Sequence, residues 1–170
     1  MKTIESVIGR DLQWVQPNFF KPEFELRNLN TVVATLKLKH LLSEHATAES
    51  ADGCWKLKRS GFLRTSITVA TCDNDEPLTT VQGKRWKKQI PIPLPDGTQV
   101  ALVTDLWGWK FALKSPTGET IAEILRTGFF SGAYKLTLNR SAASYKDLPW
   151  LVMFLWYTMT LYRRRQHAAG

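Results

Sequence analysis

The sequence predicts a mainly β domain, an antiparallel barrel or sandwich, that buries one hydrophobic helix at its C-terminal end. Three observations predict this class. Apolar and polar residues alternate with a period of two over 24–138, turn residues recur throughout that stretch, and residues 148–161 are apolar almost without interruption. With 170 residues, 44% of them hydrophobic, the chain has the size and composition of one compact domain.

Ten to twelve short strands are expected, because turn signals repeatedly interrupt the alternating segments. The segments with the clearest alternation are 24–27, 31–38, 54–59, 67–71, 79–82, 90–94, 99–104, 107–114, 119–125 and 134–138. The loop 28–30 is expected to join the first two as a hairpin. No helical period runs through this region, so the strands predict an all-β architecture.

The two cysteines are expected to lie on neighbouring strands. A turn over 61–65 places Cys54 opposite Cys72 on the outer face, while Trp55 and Leu57 point inward. The cysteines lack metal-binding spacing, and the N-terminus does not read as a signal peptide. These features predict a reducing cytosolic or nuclear compartment, and we therefore expect free thiols rather than a disulfide.

Prolines at positions 91, 93 and 95 alternate with apolar residues in the segment 90–95. In a strand, every second residue directs its N–H group to the same side, and proline has no N–H group to donate. The segment is therefore expected to be hydrogen-bonded on one flank only, to the strand 99–104. The other flank is expected to be a sheet edge beside the basic run that precedes it.

Residues 147–163 are predicted to form one helix whose middle is inaccessible to water. Asp147 suits the N-cap position, Pro149 falls in the first turn, and arginines 163–165 lie at the negative end of the helix dipole. The fourteen residues 148–161 span ~21 Å as a helix, which is short of the ~30 Å hydrocarbon core of a bilayer. The length favours a core helix, and a membrane anchor is the alternative.

This combination of short strands and an apolar C-terminal helix resembles the tubby C-terminal-like superfamily, which includes tubby proteins, phospholipid scramblases and LURP-one-related proteins. Residues 46–62, with Trp55 after Gly53, are similar to the Gly-x-Trp strand and hairpin of bacterial LURP-one-like members. The resemblance covers about residues 20–165 and implies a closed barrel of about twelve antiparallel strands around the helix. The implied division is an N-terminal segment 1–19, a barrel domain 20–165 with a central helix 147–163, and a tail 166–170.

The resemblance also implies a function. Tubby members bind phosphoinositide headgroups through lysines and arginines on the barrel surface. Scramblase members are palmitoylated and carry an acidic, calcium-linked segment before the last helix. This chain has no cysteine cluster and only Asp147 before the helix, so those scramblase properties are not expected here.

A basic run that contains a tryptophan is the clearest candidate binding site. The candidate headgroup-binding residues are Lys84, Arg85, Trp86, Lys87 and Lys88, and the secondary candidates are Arg163, Arg164 and Arg165. Each cation near an anionic membrane contributes about 1 kcal/mol, and tryptophan suits the headgroup level. The same run would suit nucleic-acid phosphates, or would serve as a charged connection that prevents edge pairing.

No catalytic, metal or cofactor site is predicted. The sequence lacks a Gly-x-Ser-x-Gly elbow, a P-loop, a dinucleotide fingerprint and a His-Glu-x-x-His pair. Asp73, Asp75 and Glu76 are interpreted as a turn rather than a calcium site, and His40 and His45 do not indicate zinc.

The expected function is therefore a non-catalytic binding module for acidic phospholipid or phosphoinositide headgroups. Its net charge of +8 favours an anionic partner, and a membrane surface ranks above nucleic acid. The expected location is the cytoplasm, peripheral to the membrane. The alternatives are a barrel anchored in the membrane by its C-terminal segment and a protein-interaction scaffold without a lipid ligand. The oligomeric state stays open.

Overall fold

The computed structural model describes residues 1–83, 88–128 and 133–169. The strands in these ranges are β1 Leu12–Val15, β2 Glu23–Asn28, β3 Thr31–Leu38, β4 His45–Ser50, β5 Gly53–Ser60, β6 Thr65–Thr71, β7 Pro77–Gly83, β8 Gln89–Pro93, β9 Gln99–Thr104, β10 Lys110–Lys114, β11 Thr120–Thr127 and β12 Ala133–Leu138. One long helix, α1 Leu148–Ala169, follows them. The predicted mainly β class with a C-terminal helix is confirmed.

All twelve strands belong to one antiparallel sheet that curls into a nearly closed barrel. Its order is β7-β6-β5-β4-β3-β2-β1-β12-β11-β10-β9-β8, so strands that follow one another in the chain are almost always neighbours. The first and last strands, β1 and β12, pair with each other in the middle of this order. The two edges of the sheet, β7 and β8, therefore form the seam of the barrel.

The prolines of β8 lie at this seam, as predicted. Within the described residues, the only strand ladder of β8 is the one with β9, in which Pro91 lies opposite Ala101. On the other flank, the Thr79 hydroxyl of β7 donates a hydrogen bond of 2.6 Å to the carbonyl oxygen of Pro93. A side chain thus bridges the seam where the prolines cannot donate to a backbone ladder.

The barrel interior is filled by α1, whose residues are buried from Leu148 to Leu161 except for the half-buried Pro149. Trp156 is at the centre of this packing. Its ring stacks on that of Trp14 at a centroid distance of 5.0 Å, and the rings of Phe24 and Tyr134 contact it edge-on. Since the helix also contacts β4, β5, β10 and β11, strands surround it on several sides, as predicted.

The helix begins where it was predicted to begin and differs from the prediction at its C-terminal end. It runs to Ala169 rather than ending at residue 163, so the predicted tail is mostly helical. Arginine, glutamine and alanine are good helix formers, which explains this polar extension. At the start, the Asp147 carboxylate accepts a hydrogen bond of 2.8 Å from the indole N–H of Trp150, and the backbone carbonyl of Asp147 accepts the first helical bond.

The N-terminal segment 1–19 is part of the barrel and does not lie outside it. It contributes β1, which lies between β2 and β12, and its residues Ile4 and Val7 pack into the same core. The domain boundary drawn at residue 20 from the sequence therefore separates β1 from the sheet to which it belongs. The hairpin between β2 and β3 also has a two-residue loop, 29–30, rather than the expected loop 28–30, with Leu29 at φ 53°.

The cysteine hairpin has the predicted register but a different redox state. Trp55 lies opposite Thr71 and Leu57 opposite Val69, with both cysteines on the outer face. The expectation of free thiols is wrong, because Cys54 and Cys72 form a disulfide bond. Neighbouring antiparallel strands place the two Cα atoms 5.4 Å apart, which is within the range that a disulfide requires.

Candidate functional site

The up-and-down order of the strands sorts the loops between the two ends of the barrel. Because neighbouring strands are antiparallel, every second loop lies at the same end. One end, here called the basic end, is formed by the loops 16–22, 39–44, 61–64 and 105–109, by Lys88 and by the last turns of α1. The opposite end, here called the acidic end, is formed by the loops 29–30, 51–52, 72–76, 94–98 and 115–119 and by the connection 139–147.

Three contacts fix the C-terminal part of α1 at the basic end. The Tyr157 hydroxyl donates a hydrogen bond to the backbone carbonyl of Glu44, and burial raises the pKa of this hydroxyl, which keeps it a neutral donor. The Arg164 guanidinium donates a hydrogen bond of 2.8 Å to the carbonyl oxygen of Ser43. The Tyr162 ring contacts that of Phe111 edge-on at 5.6 Å.

The basic end carries exposed cations on several loops that are distant in sequence. Its exposed lysines and arginines in the described ranges are Lys21, Lys39, Arg64, Lys88 and Arg165. Among the described residues, none of the five has a carboxylate close enough for a salt bridge; the ion pairs of the barrel involve other lysines and arginines. These charges are therefore available to an external anion.

The two carboxylates in the loops of the basic end already have partners within the protein. Glu44 forms a salt bridge with Arg59, which lies near the end of β5. Asp105 accepts hydrogen bonds from the backbone N–H groups of Trp109 and Lys110, at 2.8 and 3.2 Å. The charge of Glu44 is therefore balanced by Arg59, whereas Asp105 keeps its negative charge and is outnumbered by the exposed cations of this end.

The acidic end has the opposite charge. Its carboxylates are Asp52, Asp73, Asp75, Glu76, Asp96, Glu119 and Asp147, and the cations in the same connections are Arg140 and Lys146. The N-terminal segment also lies at this end, and its charges, Lys2 and Arg10 with Glu5 and Asp11, balance one another. The barrel is therefore electrically polarised along its axis, with its excess positive charge at the end where α1 terminates.

The structure separates the candidate residues named from the sequence. Lys84, Arg85, Trp86 and Lys87 lie outside the described residues, and Lys88 is exposed. Arg163, Arg164 and Arg165 have three different environments. The guanidinium of Arg163 lies 4.8 Å from the ring centroid of Tyr134, that of Arg164 binds the loop 39–44, and Arg165 is exposed. Burial lowers the pKa of Arg164 and fits its structural role.

The loop cations Lys21, Lys39 and Arg64 were not among the predicted site residues, because none of them belongs to a contiguous run of lysines and arginines. A signal for them does exist. Lys21 directly follows two phenylalanines, and Arg64 directly follows Phe62 and Leu63. Lys39 is separated by one residue from the pair Leu41–Leu42. These three pairs of apolar residues with a nearby cation occur in every second loop of the chain. In an up-and-down barrel, every second loop lies at the same end, so the three pairs share one surface.

A second candidate, a groove of about 600 Å³ on the outer face of β8 and β9, has little charge. Its lining includes Pro91 and Pro116, and Lys88 is the one cation that lines it among the described residues. Nor do the described residues contain any group of three or more histidines, cysteines or carboxylates that could hold a metal ion. The basic end is therefore the stronger candidate.

Within the described residues, no helix combines the length and the apolar character needed to cross a bilayer. The apolar residues of α1 are enclosed by strands, so their burial is explained by the barrel itself. A scan against protein-family models and searches of curated proteins and of solved structures found no protein or family that matches this chain.

Proposed function

We propose that the protein is a non-catalytic module that binds the anionic surface of a phospholipid membrane through the basic end of its barrel. One observation carries this proposal: the exposed, unpaired cations Lys21, Lys39, Arg64, Lys88 and Arg165 lie at one end of the described fold, and carboxylates predominate at the other. We also propose kinship with tubby-like barrels, for which the resemblance implies the same arrangement of twelve strands around an apolar helix.

The physical basis is long-range attraction followed by local contact. Nine of the twelve described strands have six to eight residues, and at ~3.3 Å per residue they separate the two ends by roughly 20 Å. This exceeds the Debye length of ~8 Å at physiological salt, so a membrane at the basic end is screened from the carboxylates of the acidic end. The uneven charge of the barrel therefore attracts the protein to an anionic membrane and also turns its basic end toward the membrane surface.

Neutralising two cations of the basic end is expected to weaken binding to anionic vesicles about 30-fold. The variant combines Arg64→Gln with Arg165→Gln, and each cation contributes about 1 kcal/mol near such a surface. The measurement is co-sedimentation with vesicles of phosphatidylcholine and phosphatidylserine at physiological salt, compared with vesicles of phosphatidylcholine alone.

The matched control combines Arg140→Gln with Lys146→Gln, which removes the same charge from exposed positions at the acidic end. We expect this control to bind as the unmodified chain does. Equal weakening by both double variants would mean that only net charge matters and would refute a binding end. A chain that does not bind phosphatidylserine vesicles even at low salt would refute the proposed function.

A further inference from the structure

The loops of the basic end expose an unusual amount of apolar surface. Four of them each present two consecutive large apolar residues, Phe19–Phe20, Leu41–Leu42, Phe62–Leu63 and Leu106–Trp107. Their exposed fractions run from 57% for Leu41 to 96% for Phe62. Hairpin loops are usually built from glycine, proline and polar residues, so this composition is not explained by turn formation.

The exposed apolar residues are concentrated at this end. Among the described residues, the other large apolar side chains with high exposure are Met1 and Leu29, at the acidic end, and Leu125, on the strand β11. Isolated exposed apolar residues are normal on a protein surface, but a contiguous set rimmed by charge marks an interaction site. The four pairs share the basic end with the unpaired cations.

We propose that these four loops insert into the interfacial region of an anionic bilayer when the protein binds. This inference rests on the proposed function and adds a mode of binding to it. Cations would contact lipid phosphates and carboxylates while the neighbouring phenylalanine, leucine and tryptophan side chains enter the boundary between headgroups and acyl chains. A lipid bilayer is the favoured partner because the apolar pairs are interleaved with cations, which complement an anionic surface.

Three of the four loops are suited to insertion because hydrogen bonds hold their backbones while their apolar side chains are exposed. The Phe20 backbone N–H donates a hydrogen bond of 2.9 Å to the Asn18 side chain, and Asp105 holds the backbone after Trp107. Arg164 and Tyr157 bind the loop 39–44. Insertion would therefore require no refolding of the barrel, since the apolar side chains already point away from the core.

The test separates insertion from charge attraction by salt. Flotation with vesicles of phosphatidylcholine and phosphatidylserine is measured at low salt and at ~1 M salt, where the Debye length is ~3 Å. We expect the unmodified chain to stay partly bound at high salt. A variant with Phe19→Ser, Phe20→Ser, Phe62→Ser and Leu63→Ser should bind at least about tenfold more weakly there, because it loses four membrane-facing apolar side chains.

The matched control is Leu29→Asn, which removes an exposed apolar side chain from the acidic end and suits the positive φ of that position. It should bind as the unmodified chain does. Complete release of the unmodified chain at high salt, with normal binding of the serine variant at low salt, would overturn insertion but leave the proposed function intact. Sedimentation without vesicles tests a second copy of the chain as the partner. Self-association of the unmodified chain that disappears in the serine variant would overturn the bilayer as the partner of these loops.

Discussion

Replacing Trp156 by alanine is expected to lower the free energy of unfolding by about 3–5 kcal/mol. The side chain is 1% exposed and contacts three other aromatic rings that come from β1, β2 and β12. Truncation removes these contacts and leaves a cavity that strands fixed in a barrel ladder cannot fill. Urea denaturation, followed by circular dichroism, measures the change.

Two further variants make this result interpretable. Trp156→Phe keeps an aromatic ring in the stack and is expected to lower the free energy of unfolding by less than the alanine variant does. If Trp156→Ala does not fold, the stability of Trp156→Phe is measured in its place. Phe62→Ala removes an aromatic ring that is 96% exposed and should change the free energy of unfolding by less than about 0.5 kcal/mol. Comparable losses for Trp156→Ala and Phe62→Ala would contradict a helix enclosed by the barrel.

Loss of the bond between Cys54 and Cys72 is expected to lower the free energy of unfolding by about 3 kcal/mol. The two cysteines are 18 residues apart, and closing a loop of this size restricts the unfolded chain by about that amount. The variant combines Cys54→Ser with Cys72→Ser, and urea denaturation without reductant measures it against the unmodified chain.

The matched comparison is the unmodified chain in the presence of dithiothreitol, which should unfold at the same urea concentration as the serine variant. Mass spectrometry after alkylation without reductant tests the bond itself. Recovery of two alkylated cysteines from the folded chain would contradict the disulfide, and the original expectation of free thiols would then stand.

Much of the fold could be predicted because its signals are local. The alternation around Trp55 and Leu57 fixes which face of β5 is inward, and a single turn then sets the register with β6. The prolines of β8 predict a sheet edge because each proline lacks the N–H group that a neighbouring strand would need as a donor at that position. The helix is predicted because it is apolar on every side, which requires burial.

The strands that escaped prediction have weak local signals. β1 has only four residues, and its place in the sheet depends on pairing with β12, more than one hundred residues later in the chain. β4 contains Ala46, Ala48 and Glu49, residue types that are depleted in strands. Its small inward residues lie on a strand that α1 contacts, so packing against the helix outweighs propensity there.

The candidate site was harder to predict than the fold because its residues are brought together only by strand order. A contiguous run such as 84–88 or 163–165 is conspicuous in a sequence, whereas Lys21 and Arg64 are each unremarkable alone, and no local signal places them beside Arg165. They converge because an even number of strands separates their loops and because α1 returns through the barrel to the same end. Counting β4 is essential, since omitting it would assign Arg64 to the end opposite Lys21.

The most direct test of the account is to determine which end of the barrel faces an anionic bilayer. Leu63→Cys and Leu29→Cys place an environment-sensitive fluorophore at exposed positions of the basic and acidic ends. On addition of phosphatidylserine-containing vesicles, the label at position 63 should brighten and shift to shorter wavelength, while the label at position 29 should not change. A bound protein whose label at position 29 responds as strongly as that at 63, or whose label at 63 stays silent, would contradict membrane binding through the basic end.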